Sequence, residues 1–282
     1  MKKAFSLIEL SIVILIIGIL VAGVTQSSRL ISQFTLTSAR TQTKSSPVAS
    51  IKDLYVWFEA TSEESFLSAE TENGLAVSTW YDINPLSVTK RNALQSTSSL
   101  QPLYTTNVIN GLPALKFDGT DDLLPYDGTG IAGTDFTVFV VEKKNNSIAG
   151  KQVIFSGTGS TTSTNLHIAY YSSSATVYFA TYNSDVTGTG SAAFTPTIHS
   201  GSLSSVNGMF YYQNGALNAS DNTKTAQLIS YAGAALAQGC CTGGVNFNGY
   251  IAEFILFTRA LKTEERRAVE AYLGKKWKIK VS

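Results

Sequence analysis

The chain is poor in the residues that most often carry chemistry. Two of its 282 residues are cysteine and two are histidine, His167 and His199. Two cysteines exclude a disulfide framework. There is no Gly-x-Ser-x-Gly, no His-Glu-x-x-His and no glycine-rich phosphate loop, so the common signatures of serine hydrolases, zinc peptidases and nucleotide binders are missing. Charge is scarce as well. Lys plus Arg number 21 against 20 Asp plus Glu, for a net +1, and charged residues make up 15% of the chain. That balance leaves no basic footprint, and no nucleic-acid partner is expected. Low charge, 22 glycines, 13 tyrosines and 14 phenylalanines suit a β-rich exported domain. The length allows one large domain or two small ones.

Charge is scarcest near the start. Between Phe5 and Val24 the single charged side chain is Glu9. About 20 apolar residues are enough to cross a bilayer as a helix. Gly18 and Gly23 offer small spots for a neighbouring helix. Lys2 and Lys3 favour a cytoplasmic N-terminus, with the bulk of the chain outside. Glu9 is costly in such a segment, so it is a functional candidate that needs a partner.

Lys2-Lys3-Ala4-Phe5-Ser6-Leu7-Ile8-Glu9-Leu10 resembles the prepilin signal of type IV pilins and type II secretion pseudopilins. That pattern is a short basic leader, a small residue (usually Gly), an aromatic (usually Phe), and a Glu as the fifth mature residue. Ala4 departs from the usual Gly. The resemblance implies that a prepilin peptidase cuts between Ala4 and Phe5, that the Phe5 amine is methylated, and that this amine pairs with Glu9 of a neighbouring subunit. Cleavage turns a neutral amide into a cationic amine. Ammonium and carboxylate then satisfy each other in low dielectric. Two plainer readings compete. One is a secretory signal peptide cut near Val21-Ala22-Gly23; the other is a simple anchor. A Glu at the head of the apolar run fits neither.

Leu30, Ile31, Phe34 and Leu36 continue an apolar stripe without a strict period. The helix is therefore predicted to run on to about Lys44, weakened by its Thr and Ser. Ser45-Ser46-Pro47 ends it. A helix from Phe5 to Lys44 is roughly 60 Å long at 1.5 Å per residue.

From Ile51 the period changes. Short aromatic and β-branched runs at 53–58, 76–82, 112–117, 136–141, 152–155, 166–171, 176–180, 208–212 and 250–257 read as strands between Gly, Asn and Asp clusters. No strand alternates with a helix. The expected fold is mostly β: an antiparallel sandwich behind the long N-terminal helix. One helix closes the chain, with Thr263 as N-cap and a stripe of Val269, Tyr272, Leu273 and Trp277. Asn110 to Asp122, Val77 to Asp82, and Phe247 to Leu273 resemble the laminin-G/concanavalin A-like jelly rolls. The expected domains are a leader at 1–4, implied by the prepilin resemblance, a helix at 5–47 that is transmembrane over 5–24, read from the apolar run and its proline stop, and a jelly roll at 48–282, implied by the second resemblance. The jelly-roll fold hosts lectins, enzymes and scaffolds alike, so it names no ligand.

Asp118, Asp121 and Asp122 form the one close carboxylate cluster in a loop. Such oxygens can hold Ca²⁺, the sole cofactor candidate, yet Asp-Gly-Thr-Asp-Asp is also an ordinary turn. Glu253 stands without a second carboxylate in the pattern that glycoside hydrolysis needs. Cys240 and Cys241 are adjacent, and their Cα atoms are about 3.8 Å apart, shorter than the usual disulfide range. A strained vicinal disulfide is favoured in an oxidising compartment, with a free or intermolecular thiol as the alternative. Tyr170, Tyr171, Tyr178, Tyr182, Tyr211 and Tyr212 can stack on sugars, but alternation sends half of any such set into the core.

The expected protein is a pilin-like subunit, minor or at the tip, and not an enzyme. It sits in the inner membrane before assembly and on a pilus or in the periplasm afterwards. Its partners are other pilin subunits, the prepilin peptidase, and surface glycans or host proteins. A type II secretion pseudopilin and a membrane-tethered carbohydrate-active enzyme are the alternatives.

Overall fold

In a computed structural model, residues 7–145, 151–171, 176–240 and 244–282 are described, without the side chains of residues 9, 22–26, 28, 29, 244 and 245. Helix α1 runs Leu7–Lys44, about 57 Å at 1.5 Å per residue. It stops where Ser45-Ser46-Pro47 predicts, and Pro47 opens a 3-10 turn, Pro47–Ser50. From Leu7 to Val21 the described apolar side chains are exposed, as are Leu30, Ile31 and Phe34. The helix meets the body only from about Leu36, where Leu36 and Ala39 join an apolar cluster. Among the described residues no helix is long and apolar enough to cross a membrane. The Ala22–Gln26 side chains, at the end of the apolar run, lie outside that description.

Among the described residues, seventeen strands follow. The first nine are β1 Leu54–Glu59, β2 Thr79–Trp80, β3 Ala93–Leu94, β4 Leu103–Ile109, β5 Leu112–Asp118, β6 Leu124–Pro125, β7 Phe136–Lys144, β8 Lys151–Ser156 and β9 His167–Tyr171. The rest are β10 Thr176–Ala180, β11 Asp185–Thr189, β12 Pro196–Ser204, β13 Gly208–Gln213, β14 Ala216–Asp221, β15 Ala235–Leu236, β16 Gly244–Asn246 and β17 Asn248–Phe257. Helix α2, Thr263–Trp277, closes the fold.

Two sheets face each other. One has the order β14-β13-β12-β7-β17-β5-β4, with β1 also on β17; the other runs β11-β10-β9-β8-β15-β6. Strand β17 is the axis of the first. One edge pairs with β7 throughout, while the other serves β5 with its first half and β1 with its second. Among the described residues, every strand pair is antiparallel except β16 on β8, which is parallel.

Alternation divides the apolar residues between two cores. Val56, Phe58, Phe254 and Leu256 point between the sheets, with Phe117, Phe136, Phe155, Phe179 and Tyr211. Trp57, Ile255 and Phe257 point the other way, under Val269, Leu273 and Trp277 of α2. Strand β1 is therefore buried on both faces, and it reads as an unbroken apolar run.

Three expectations are adjusted. The N-cap of α2 is Lys262, one residue before Thr263, and its backbone N–H donates to Glu265 Oε2 at 2.9 Å. Of the run 76–82 only Thr79–Trp80 is a strand. Strand β12, Pro196–Ser204, is buried along most of its length, but its serines and glycine hide it from any apolar pattern.

Candidate functional site

The stalk is joined to the sandwich by a buried ionic knot. Lys276 Nζ, on α2, lies 2.5 Å from Glu59 Oε1 and 3.0 Å from Glu253 Oε2. It is also 2.8 Å from Thr43 Oγ1, on α1, and 3.1 Å from Tyr272 OH. Lys276, Glu59 and Glu253 are all closed to solvent. Glu253 accepts four donors: Trp57 Nε1, Tyr272 OH, Trp277 Nε1 and Lys276 Nζ. Glu59 accepts the backbone N–H groups of Thr61 and Ser62. Burial pushes the Glu253 carboxyl up, against the pull of Lys276 and the two indole donors. Outside the knot, Arg40 of α1 donates from Nε to the Thr61 carbonyl at 2.8 Å and pairs with Glu63. The arrangement ties the C-terminal end of α1 to α2 and to strands β1 and β17. Sequence reasoning left Glu253 without a carboxylate neighbour, because Glu59 stands 194 positions away and reaches it only through the β1–β17 register.

Of the processing and assembly residues, Ala4 and Phe5 lie outside the described residues. Glu9 sits in α1, and its side chain lies outside them too. Cys240 is buried beside Val153 and Ala169; Cys241 lies outside the described residues.

The structure does bring Asp118, Asp121 and Asp122 together, with one oxygen from each within 4.8 Å of the others. Most of their contacts are internal to the turn. Asp118 Oδ1 accepts from the Thr120 and Asp121 N–H groups, and Asp122 Oδ2 accepts from the Asp118 N–H. Burial, with Asp118 and Asp121 beside it, pushes the Asp122 carboxyl up to about 6. Asp118 is held below its usual range, its backbone donors outweighing burial. Carboxylates so placed have the donor set for Ca²⁺.

A second buried network lies between the sheets. Tyr170 OH donates to Glu142 Oε1 at 2.6 Å and lies 3.0 Å from His199 Nε2. His199 Nδ1 lies 2.6 Å from Tyr211 OH. Lys144 Nζ sits 3.6 Å above the Tyr170 ring, and burial pushes it down to about 8. His167, the other histidine, is buried, and desolvation lowers it to about 3. The tyrosines divide as alternation requires. Tyr170 and Tyr211 are core, whereas Tyr171 is exposed and Tyr178 and Tyr212 are half-buried.

With this geometry in hand, likenesses to known proteins carry weight. The family model of the prokaryotic N-terminal methylation motif matches residues 1–25. These residues are the N-terminal methylation motif of type IV pilins. Comparison of the sequence with curated proteins finds no match. Among solved structures, the chain resembles Trypanosoma rangeli sialidase in complex with 2,3-difluorosialic acid, at 12% identity and a TM-score of 0.55. It also resembles the botulinum neurotoxin serotype D binding domain, at 12% identity and a TM-score of 0.54. The first alignment covers 88% of this chain and 39% of the sialidase; the second covers 82% and 53%. The chain thus spans only part of either relative, and at such identity the likeness concerns the β-sandwich fold alone. One expectation is corrected here. No enzyme was expected from the motifs, but a sialidase has a similar fold, so that exclusion does not stand.

Proposed function

We propose that the chain is a minor or tip subunit of a type IV pilus. Its parts are a leader at 1–4, an assembly helix at 5–47 that spans the inner membrane over 5–24, and a displayed sandwich at 48–282. The supporting observation is the methylation motif running directly into α1. The described apolar side chains of that helix from Leu7 to Val21 touch little of their own chain: Leu7 is 87% exposed and Leu15 63%. A helix that is apolar all round needs lipid or other helices on every side. Before assembly the bilayer supplies that cover, with Lys2 and Lys3 in the cytoplasm. After a prepilin peptidase removes the leader, neighbouring subunits supply it. The sandwich then stands outside, held by the Lys276 knot, where it binds surface glycans or a partner protein. Mass spectrometry of the mature N-terminus tests the reading. A chain that begins at methylated Phe5 is expected; one that begins at Val24 overturns it.

A further inference from the structure

The face of the first sheet turned away from the second carries helix α2. The helix packs there with Val269, Leu273 and Trp277 in one apolar cluster with Phe139 of β7, Ile198 of β12 and Ile255 of β17, and its Arg266 reaches over Tyr212 of β13. A cavity of about 460 Å³ opens there, lined by Ser202 and Ser204 of β12, Phe210 and Tyr212 of β13, and by Asn207, Asn222 and Arg266. We propose that this cleft binds an acidic saccharide. The proposal deepens the reading of the sandwich as a displayed binding domain.

Three observations point to that ligand class. First, Phe210 is set in register between Ser202 and Ser220. Small neighbours leave its half-buried ring open as a platform for the C–H face of a sugar. Second, polar groups ring the cavity and are idle. Among the described residues, the side chains of Ser202, Asn207, Asn222 and Tyr212 make no hydrogen bond within the chain, although all four line the cavity. Amides and hydroxyls of this kind both donate and accept, as sugar hydroxyls require. Third, the cavity has a cation and no anion in its lining. Arg266 is 6% exposed. Its Cζ sits 3.6 Å above the Tyr212 ring, which fixes the plane of the guanidinium. Nη1 is taken by Glu270 Oε2 at 2.5 Å. Nε and Nη2 have no acceptor among the described residues, and they form the second fork of the group. A planar fork of two N–H donors matches a carboxylate. A uronic or nonulosonic acid has both parts: a ring for Phe210 and a carboxylate for Arg266.

Ligand-observed NMR on the full chain in detergent micelles tests this with two pairs of probes. They are 3′-sialyllactose against lactose, and methyl β-glucuronide against methyl β-glucoside. At least one acidic member is expected to bind at least tenfold more tightly than its neutral partner. Ser202→Asp places a carboxylate in the cleft without touching the Arg266–Glu270 pair, and it is expected to weaken that binding tenfold or more. Phe210→Ala is expected to weaken it as well. Silence from both acidic probes, equal binding of acidic and neutral members, or full binding by Ser202→Asp overturns the proposal. The N-terminal mass is read separately, so failure of the pilus reading and failure of the cleft are distinguished.

Discussion

Glu59 and Glu253 are register partners across β1 and β17, two carboxylates side by side in the interior. Like charges directly opposite each other destabilise a sheet. Here the conflict is resolved from a third element, because Lys276 Nζ is within 3.0 Å of both groups. The same ammonium reaches Thr43 of α1. Three distant parts of the chain therefore meet at one nitrogen.

Removing that nitrogen should be expensive. Lys276→Met leaves two buried carboxylates facing each other, and the expected loss is about 3 to 5 kcal/mol. Urea unfolding of the full chain, followed by the fluorescence of Trp57, Trp80 and Trp277, measures it. A loss below about 1 kcal/mol, as for an exposed pair, would show that the knot does not hold the fold.

Glu9→Val tests the assembly chemistry. The leader and the Ala4–Phe5 junction are untouched, so cleavage is expected to proceed. Membrane insertion is expected to survive, since a costly charge is gone. If Glu9 pairs with the Phe5 amine of a neighbouring subunit, incorporation into filaments is expected to drop. Immunoblots for leader removal and sheared-filament fractions give the two readings. Wild-type incorporation of a cleaved variant would rule out the pairing.

Two buried groups bend the stability–pH curve in opposite directions. Asp122 is raised from 3.8 to about 6 on folding, so the native state binds the extra proton in that window and stability falls as pH rises through it. His167 is lowered from 6.5 to about 3. There the unfolded chain binds the extra proton, and its contribution is present above 6.5 and lost as pH falls toward 3. Melting curves between pH 3 and 7 should show Asp122→Asn removing the first slope and His167→Gln the second. Unchanged slopes in both variants would refute the assignment.

Gly201 faces the inter-sheet core, where an added Cβ would lie 2.4 Å from Phe179 Cε2. Gly201→Ala is expected to cost about 1 to 3 kcal/mol through displacement of that ring. Thermal unfolding reads the change, and a neutral result would mean that the two sheets part more readily than their packing implies.

Much of the architecture was legible because it rests on local pattern. The apolar run with Glu9 and the Lys-Lys-Ala-Phe start predict the N-terminal motif. Pro47 sets the end of α1, since proline cannot continue a helix. Strands β1, β5, β7 and β17 show themselves through aromatic and β-branched runs. Strands β11, β12 and β14 do not. Their Ser, Thr, Asn and Gly are held in place by neighbouring strands, and no local propensity announces them.

What the sequence determined by itself is therefore what short-range chemistry controls: the N-terminal methylation motif, the long helix and its stop, the β class of the body, and the closing helix. What only the tertiary structure decided is which distant residues meet. Glu59, Glu253 and Lys276 are joined by strand register and helix docking. The cleft exists because α2 sets Arg266 beside Phe210 and Tyr212 of β13. Register and docking follow from the burial of many side chains at once, and no single stretch of the chain encodes either.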